Sequence, residues 1–185
     1  MKRGVRISGG RLRGRTLSVA AGVRPSSARL REALFDVWRE RVSGGRILDL
    51  FAGSGSVGLE ALSRGAREAV LVDLERSVLQ HLRRNCRHAA ESARVIRLDL
   101  PAGLRRLAED GIGAFELIFA DPPYRFTRFA ELLAGLEPLL EATGEAAVEH
   151  PRRVEPPEAE SELIRVACRR YGDSRLSFYQ HRSCA

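Results

Sequence analysis

Long apolar runs are missing from this chain of 185 residues; the longest stop after a handful of positions, and the opening MKRGVRISGG holds none. A membrane-crossing helix needs about 20 consecutive apolar residues, and a secretory leader an apolar core of about 7–15, so neither is expected and a cytoplasmic protein is. Cysteine is scarce as well. Cys86, Cys168 and Cys184 are odd in number, widely scattered and without a C-x-x-C pair. That argues against a disulfide framework or a zinc ribbon and fits a reducing compartment. Four histidines, His81, His88, His150 and His181, carry no metal-ligand spacing. Cys86 and His88 lie two apart on an expected helix and so point to different faces, and no metal is expected. Lysine is nearly absent, Lys2 being the only one, so arginine carries the basic charge.

What is present is 44% hydrophobic and 30% charged sequence, enough for one ordinary core and too short for two large domains. The formal charge of +7 is unevenly placed. Residues 1–46 hold twelve Lys and Arg against three Asp and Glu, a net +9, whereas the remainder holds nineteen against twenty-one, a net −2. A basic segment joined to a near-neutral body suits polyanion binding, because arginines gain affinity by releasing counterions from phosphates. A merely solvated face has the same composition, so charge alone leaves both readings open.

From position 46 onward, short aliphatic runs alternate with stretches of helical period, the signature of a parallel α/β sheet covered on both faces. Strands are expected over 46–50, 69–73, 94–99, 115–121 and 145–149, and helices over 57–64, 77–89, 101–109 and 126–140. The segment HPRRVEPPEAE after Glu149 reads as an exposed connection. Two alternating strands follow, with Ile164, Val166 and Cys168 on one face of the first and Leu176 and Phe178 on one face of the second, joined through Tyr171-Gly-Asp-Ser174 as an antiparallel hairpin. Ahead of the body, 29–41 sets Leu30, Ala33, Leu34, Val37 and Trp38 along one stripe, an amphipathic helix docking on the core. The preceding RISGGRLRGRTLSV reads as a short hairpin or extended arm, the N-terminal segment bearing Arg3, Arg6, Arg11, Arg13 and Arg15. The expected division is a basic arm with its docking helix over 1–45 and an α/β body over 46–185. The body is an open twisted sheet, mostly parallel, closed by the C-terminal antiparallel hairpin.

The first strand of the body runs into Asp49-Leu-Phe-Ala-Gly53-Ser-Gly55-Ser-Val-Gly58, so Gly53, Gly55 and Gly58 satisfy G-x-G-x-x-G between a strand and a helix. Glycines let such a loop pass close beneath a ligand while the helix start offers free N–H groups to a carboxylate or a pyrophosphate. Asp73 ends the second strand about 20 residues on, where a carboxylate can accept both hydroxyls of a ribose. Asp99, expected to end the third, could accept from an exocyclic amine of adenine. Asp is also common in turns and at helix caps. NAD and S-adenosylmethionine both fit to this point.

The fourth strand ends in Asp121-Pro122-Pro123-Tyr124. Two prolines fix the backbone and remove two N–H donors, leaving the Asp121 carboxylate and the Pro122 carbonyl as adjacent acceptors. Their natural guest is a group with two N–H bonds, such as the amine of a base; holding both hydrogens favours the pyramidal form whose lone pair can attack. Tyr124 adds a face on which an unstacked base can lie. A tight turn that merely ends a strand is the alternative for an isolated D-P-P-Y. At the carboxyl ends of an open sheet this motif and the glycine loop should meet, and a nicotinamide-dependent oxidoreductase leaves the amine clamp unexplained.

These residues resemble a known family. Asp49 to Gly58 and Asp121 to Tyr124 look like the two hallmark motifs of class I S-adenosylmethionine-dependent amino-group N-methyltransferases. More narrowly, Arg6-Ile-Ser-Gly-Gly, Arg13-Gly-Arg15, Arg24-Pro25, Arg31-Glu-Ala-Leu-Phe35, Gly58-Leu-Glu-Ala-Leu-Ser-Arg-Gly-Ala66 and Tyr171-Gly-Asp are similar to the RsmD family over nearly the whole chain. The resemblance implies a Rossmann-like class I methyltransferase fold and methylation of N2 of a guanine, guanine 966, in 16S rRNA of the small ribosomal subunit. It implies S-adenosylmethionine held by the Gly53–Gly58 loop, Asp49, Asp73 and Asp99, catalysis at Asp121, Pro122 and Tyr124, and no metal. Arg11, Arg13, Arg15, Arg24, Arg125 and Arg128 would contact RNA, and a monomer is expected. Ser26 and Ala28 stand where the family usually has Thr and Asp, and Ala28 removes a carboxylate there. Competing readings are adenine-N6 DNA methylation, glutamine-N5 protein methylation and a noncatalytic RNA-binding assembly factor.

Overall fold

The computed structural model describes residues 4–22, 27–89 and 92–184. Arg3, Arg24 and Pro25 lie outside them. At the N-terminus a two-stranded antiparallel ribbon pairs β1 (Gly4–Arg6) with β2 (Thr16–Ser18), and α1 (Ala28–Val37) follows. Ser27 caps that helix, its hydroxyl accepting the Leu30 N–H at 3.1 Å, so the cap does not depend on position 28.

The body then alternates β3 (Arg46–Leu50), α2 (Ser56–Ser63), β4 (Glu68–Asp73), α3 (Arg76–Cys86), β5 (Ala93–Arg97), α4 (Leu104–Glu109), β6 (Phe115–Ala120), α5 (Phe129–Leu136) and β7 (Leu140–Pro151). Three antiparallel strands complete it: β8 (Ala159–Glu160), β9 (Leu163–Tyr171) and β10 (Ser174–His181). The sheet order is β5-β4-β3-β6-β7-β10-β9-β8, with β3 to β7 parallel and β10, β9 and β8 running antiparallel to their neighbours. The connections wind one way from β3 to β5 and the other way from β6 to β7, so the switch point falls between β3 and β6, where open α/β sheets bind ligands.

Two apolar layers cover the sheet. Ile47, Leu71, Phe119, Ala147 and Phe178 face α1, α2, α3 and the N-terminal ribbon, whereas Leu48, Val72, Ile118, Val148 and Tyr179 face α4 and α5. No helix among the described residues is long and apolar enough to cross a membrane.

Several expectations change in detail. The face of α1 turned to the core carries Leu30, Arg31, Leu34 and Phe35, with Ala33 and Val37 only half-buried. The stripe rotates because buried Glu60 offers Arg31 a partner at 2.7 Å. β5 stops at Arg97, since its register partner β4 ends at Asp73, so Asp99 stands two residues beyond the strand. α5 ends at Leu136, where the Glu137–Leu139 turn carries Pro138, which has no N–H to continue the helix. β7 runs well past both ends of 145–149, because β6 pairs with it from Leu140 and β10 up to Pro151. The segment after Glu149 is not wholly exposed: Pro156 is buried, the Pro157 carbonyl accepts from Tyr179 Oη at 2.9 Å, and β8 pairs with β9. On β9 the core residue is Leu163; Val166 and Cys168 are exposed.

Candidate active site at the carboxyl ends of the strands

The turn out of β3 is built backbone first. Phe51 takes a left-handed conformation (φ 56°), unusual for an aromatic residue, and the Ala52 N–H crosses to the Val72 carbonyl at 3.0 Å. Gly55 has φ 75°, and a Cβ there would come within 2.5 Å of Leu82 Cδ1; only glycine satisfies both. Gly58 lies inside α2, where a Cβ would press Leu71 at 2.9 Å, so it lets the helix lie close on β4.

Three carboxylates converge on this turn from strands of the same sheet. Asp49, 2% exposed, accepts the Gly58 N–H through Oδ2 at 2.9 Å. Asp73 accepts the Gly53 N–H through Oδ2 at 3.0 Å and the Glu75 N–H through Oδ1 at 3.1 Å. Asp121 follows β6, its own N–H directed at the Leu50 carbonyl (3.4 Å). Burial pushes the Asp49 carboxyl up to about 8, against the Gly58 bond that lowers it, and the neighbouring charges of Asp121 and Asp73 raise it further. Glu149 lies one position past the Ala120–Val148 pair of β6 and β7, on the face that Asp121 shares, and is 5% exposed.

The D-P-P-Y segment leaves the carboxyl end of β6 as an anchored loop. Pro122 is buried, Pro123 exposed, and the Phe126 N–H closes the turn on the Pro123 carbonyl at 2.7 Å. Phe126 packs edge-on against Phe51 (centroids 5.6 Å) and Phe129 (5.0 Å), which ties this loop to the glycine turn. Tyr124 is 44% exposed, with its hydroxyl 3.3 Å from Ser174 Oγ at the start of β10.

The structure thus brings Asp49, Gly53, Gly55, Asp73, Asp121, Pro122 and Tyr124 to one end of the sheet. Asp99 is exposed on the connection beyond β5, its carbonyl accepting from Gly103 N–H at 2.8 Å. Arg11 and Arg13 are exposed and Arg15 half-exposed on the turn of the N-terminal ribbon. Arg125 is exposed, and Arg128 pairs with Glu131 (Nε to Oε2, 2.7 Å), so a backbone phosphate would have to compete for it. Arg24 lies outside the described residues. Three of the histidines serve the fold: His150 Nε2 lies 2.9 Å from Ser177 Oγ, His81 Nδ1 3.1 Å from Ser18 Oγ, and His181 Nε2 3.2 Å from the Leu140 carbonyl. No group of three metal-ligating side chains occurs among the described residues.

Sequence reasoning missed Glu60, Asn85 and the Phe51–Phe126 contact. Of these only Glu60 carries a signal in the sequence, as an acidic residue on a helix that is buried throughout its length.

Comparison with known proteins gives consistent matches. A family profile described as conserved hypothetical protein 95 matches residues 5–180. YlbH of Bacillus subtilis, described as a putative rRNA methyltransferase, is 35% identical over 184 residues, covering 96% of this chain and 100% of YlbH. Ribosomal RNA small subunit methyltransferase D of Escherichia coli K12 is 40% identical over 136 residues, 72% of this chain and 67% of that protein. Among solved structures, a hypothetical protein of Thermus thermophilus superposes with a TM-score of 0.81 at 41% identity, covering 95% of this chain and 99% of the other.

Proposed function

The chain belongs to the family described as conserved hypothetical protein 95, the RsmD family, and has a class I methyltransferase fold; from that premise we propose that it is an rRNA methyltransferase using S-adenosylmethionine. We propose further that its target is the exocyclic N2 of guanine 966 in 16S rRNA of the small subunit. Residues 1–45 serve as RNA-holding arm and docking helix, 46–185 as the catalytic domain, and the protein works as a cytoplasmic monomer.

The carboxylate set around the glycine turn carries this reading. Asp73 places a carboxylate beside the loop, Asp49 beneath it is a buried carboxyl that a cationic ligand would ionise, and Asp121 stands across from them on the acceptor side. A pyrophosphate there would be repelled, whereas a ligand bearing a sulfonium and an ammonium group is attracted. S-adenosylmethionine supplies an electrophilic methyl group when bound. Asp73 would accept the ribose hydroxyls, Asp99 the adenine amine, and the N–H groups at the start of α2 would serve the methionine carboxylate. Asp49 holds the turn through Gly58 and would serve the cationic end of the cofactor. Asp121 and the Pro122 carbonyl accept the two hydrogens of guanine N2 and aim its lone pair, while Tyr124 offers its ring to the unstacked base. Asp121 then takes the proton that becomes acidic as the nitrogen is alkylated. Arg11, Arg13, Arg15, Arg24, Arg125 and Arg128 hold phosphates.

The test is transfer of labelled methyl from S-adenosylmethionine to small subunits purified from cells lacking this protein, with the modified nucleoside identified by mass spectrometry. N2-methylguanosine at one position is expected. Label in adenosine or in protein would overturn the substrate, and no label despite cofactor binding would leave an RNA-binding assembly factor.

A further inference from the structure

Asn85 stands on the last turn of α3, half-buried, with every hydrogen-bonding direction of its amide used. Oδ1 accepts the Ser18 N–H and the Ser18 hydroxyl, each at 3.0 Å. Nδ2 donates to the Ser18 carbonyl and to the Ser54 carbonyl, each at 2.9 Å. The partners fix which end of the amide is which, since a backbone N–H needs an acceptor and two carbonyls need donors. Ser18 is the last residue of β2 in the N-terminal ribbon, and Ser54 lies between Gly53 and Gly55. A single side chain therefore bridges the arginine-bearing arm and the glycine turn. The far end of the arm is fastened to α2, with the Arg11 N–H on the Ser63 carbonyl (2.8 Å) and the Leu12 N–H on Ser63 Oγ (2.8 Å). The tip of the arm thus touches α2 directly, and Ser18 at its end reaches the glycine turn through Asn85 on α3.

Resting on the function proposed above, we propose that Asn85 is a positioning residue that couples arm docking to the order of the glycine turn, so that RNA and S-adenosylmethionine tighten each other's binding. Ordering of the arm by RNA fixes Ser18, Ser18 fixes the Asn85 amide, and the amide holds the Ser54 carbonyl while the turn closes on its ligand. Linkage requires the enhancement to be equal in both directions. Asn85→Asp keeps size and acceptors but has no donor, and it sets a charge against two carbonyl oxygens; Asn85→Ala removes the bridge altogether.

Calorimetric titration of S-adenosylhomocysteine, with and without a saturating fragment of small-subunit rRNA, tests this directly. RNA should tighten binding about fivefold or more in the native protein and by less than about twofold in Asn85→Ala and Asn85→Asp. Ser18→Ala, which keeps both backbone contacts, should retain the coupling. Equal enhancement in native and Asn85 variants, or none in the native protein, overturns the proposal. A second measurement needs no ligand. Gly10→Ala forces the arm away, because its Cβ would meet the Ser63 carbonyl oxygen. Amide hydrogen exchange over 53–56 should then quicken in the native background and change no further in Asn85→Ala. If S-adenosylhomocysteine fails to bind at all, the methyltransferase reading falls, and the exchange result still decides the bridge: unchanged exchange on displacing the arm overturns it.

Discussion

Arg31 and Glu60 form a buried ion pair, Nε to Oε2 at 2.7 Å with side chains 1% and 0% exposed, and this pair clamps α1 to α2. The same carboxylate accepts the Ser8 N–H and hydroxyl and the Arg64 guanidinium, while Arg31 Nη2 donates to the Arg6 carbonyl. Removing one partner strands the other in the core. Glu60→Ala should therefore cost about 3–5 kcal/mol, the usual penalty for an uncompensated buried charge. Urea unfolding checks it, and a loss under about 1 kcal/mol would mean that Arg31 escapes to water when its partner goes.

The same carboxylate predicts acid sensitivity. Burial raises the Glu60 proton affinity, but the hydrogen bonds from Ser8, Arg31 and Arg64 outweigh it and hold the group below its ordinary 4.5. A lowered folded value means the stabilisation is complete above 4.5 and is lost as pH falls through the folded value. The stability gap between the native protein and Glu60→Gln should thus be constant at neutral pH and shrink below 4.5. A gap that stays constant into acid would remove Glu60 from the balance.

What is legible in the sequence divides from what is not along a physical line. β3 falls where its aliphatic run stops, and the glycine turn and D-P-P-Y are legible because backbone conformation and a missing N–H restrict residue choice locally. Arg31 is not legible: on the helical wheel a lone arginine beside the apolar stripe belongs in water, and only Glu60, distant in sequence, reverses that. Asn85 is hidden for the same reason, since its four partners are Ser18 and Ser54 main-chain atoms and one hydroxyl. Asp99 reads as a strand end because Ile96 and Leu98 continue the apolar alternation, yet a strand lasts only as long as its neighbour, and β4 ends at Asp73.

Asp49 links cofactor binding to protons. Its carboxyl is raised by burial from 3.8 to about 8, so it is mostly protonated in the folded protein at pH 7. Its contribution to stability is full below 3.8 and is lost as pH rises through about 8. A cationic ligand favours the ionised form and should expel a proton. Affinity for S-adenosylmethionine is expected to rise with pH up to about 8 and level off above it, with heats of binding at pH 7 that depend on the buffer. Asp49→Asn should lose both dependences; buffer-dependent heats persisting in that variant would place the proton on another group.

Asp121 should separate binding from chemistry. It reaches the site from β6, whereas the expected cofactor contacts come from the ends of β3 and β4 and the connections after β3 and β5. Asp121→Ala should leave the dissociation constant of S-adenosylmethionine within about twofold while lowering turnover by about 10²–10³, the range for losing one group that stabilises developing charge. Comparable losses in both quantities would make Asp121 part of the cofactor pocket and leave the amine clamp without its acceptor.

The arm should announce its partner through salt. Arg11, Arg13 and Arg15 ride on a ribbon turn whose backbone is fixed by Ile7 N–H to the Arg15 carbonyl (3.0 Å) and Gly14 N–H to the Ile7 carbonyl (2.8 Å). Replacing the three side chains with glutamine therefore removes charge while leaving the turn in place. Each phosphate contact contributes about 0.7–0.9 to the slope of log affinity against log salt, so three lost contacts should flatten that slope by about 2–3. Binding should weaken most at low ionic strength and converge with the native protein as salt rises, because screening already removes the same contribution there. Filter binding to a small-subunit rRNA fragment across a salt series reads both quantities. A weakened complex with an unchanged slope would mean that these arginines shape the arm or contact bases, and that the phosphates are held elsewhere.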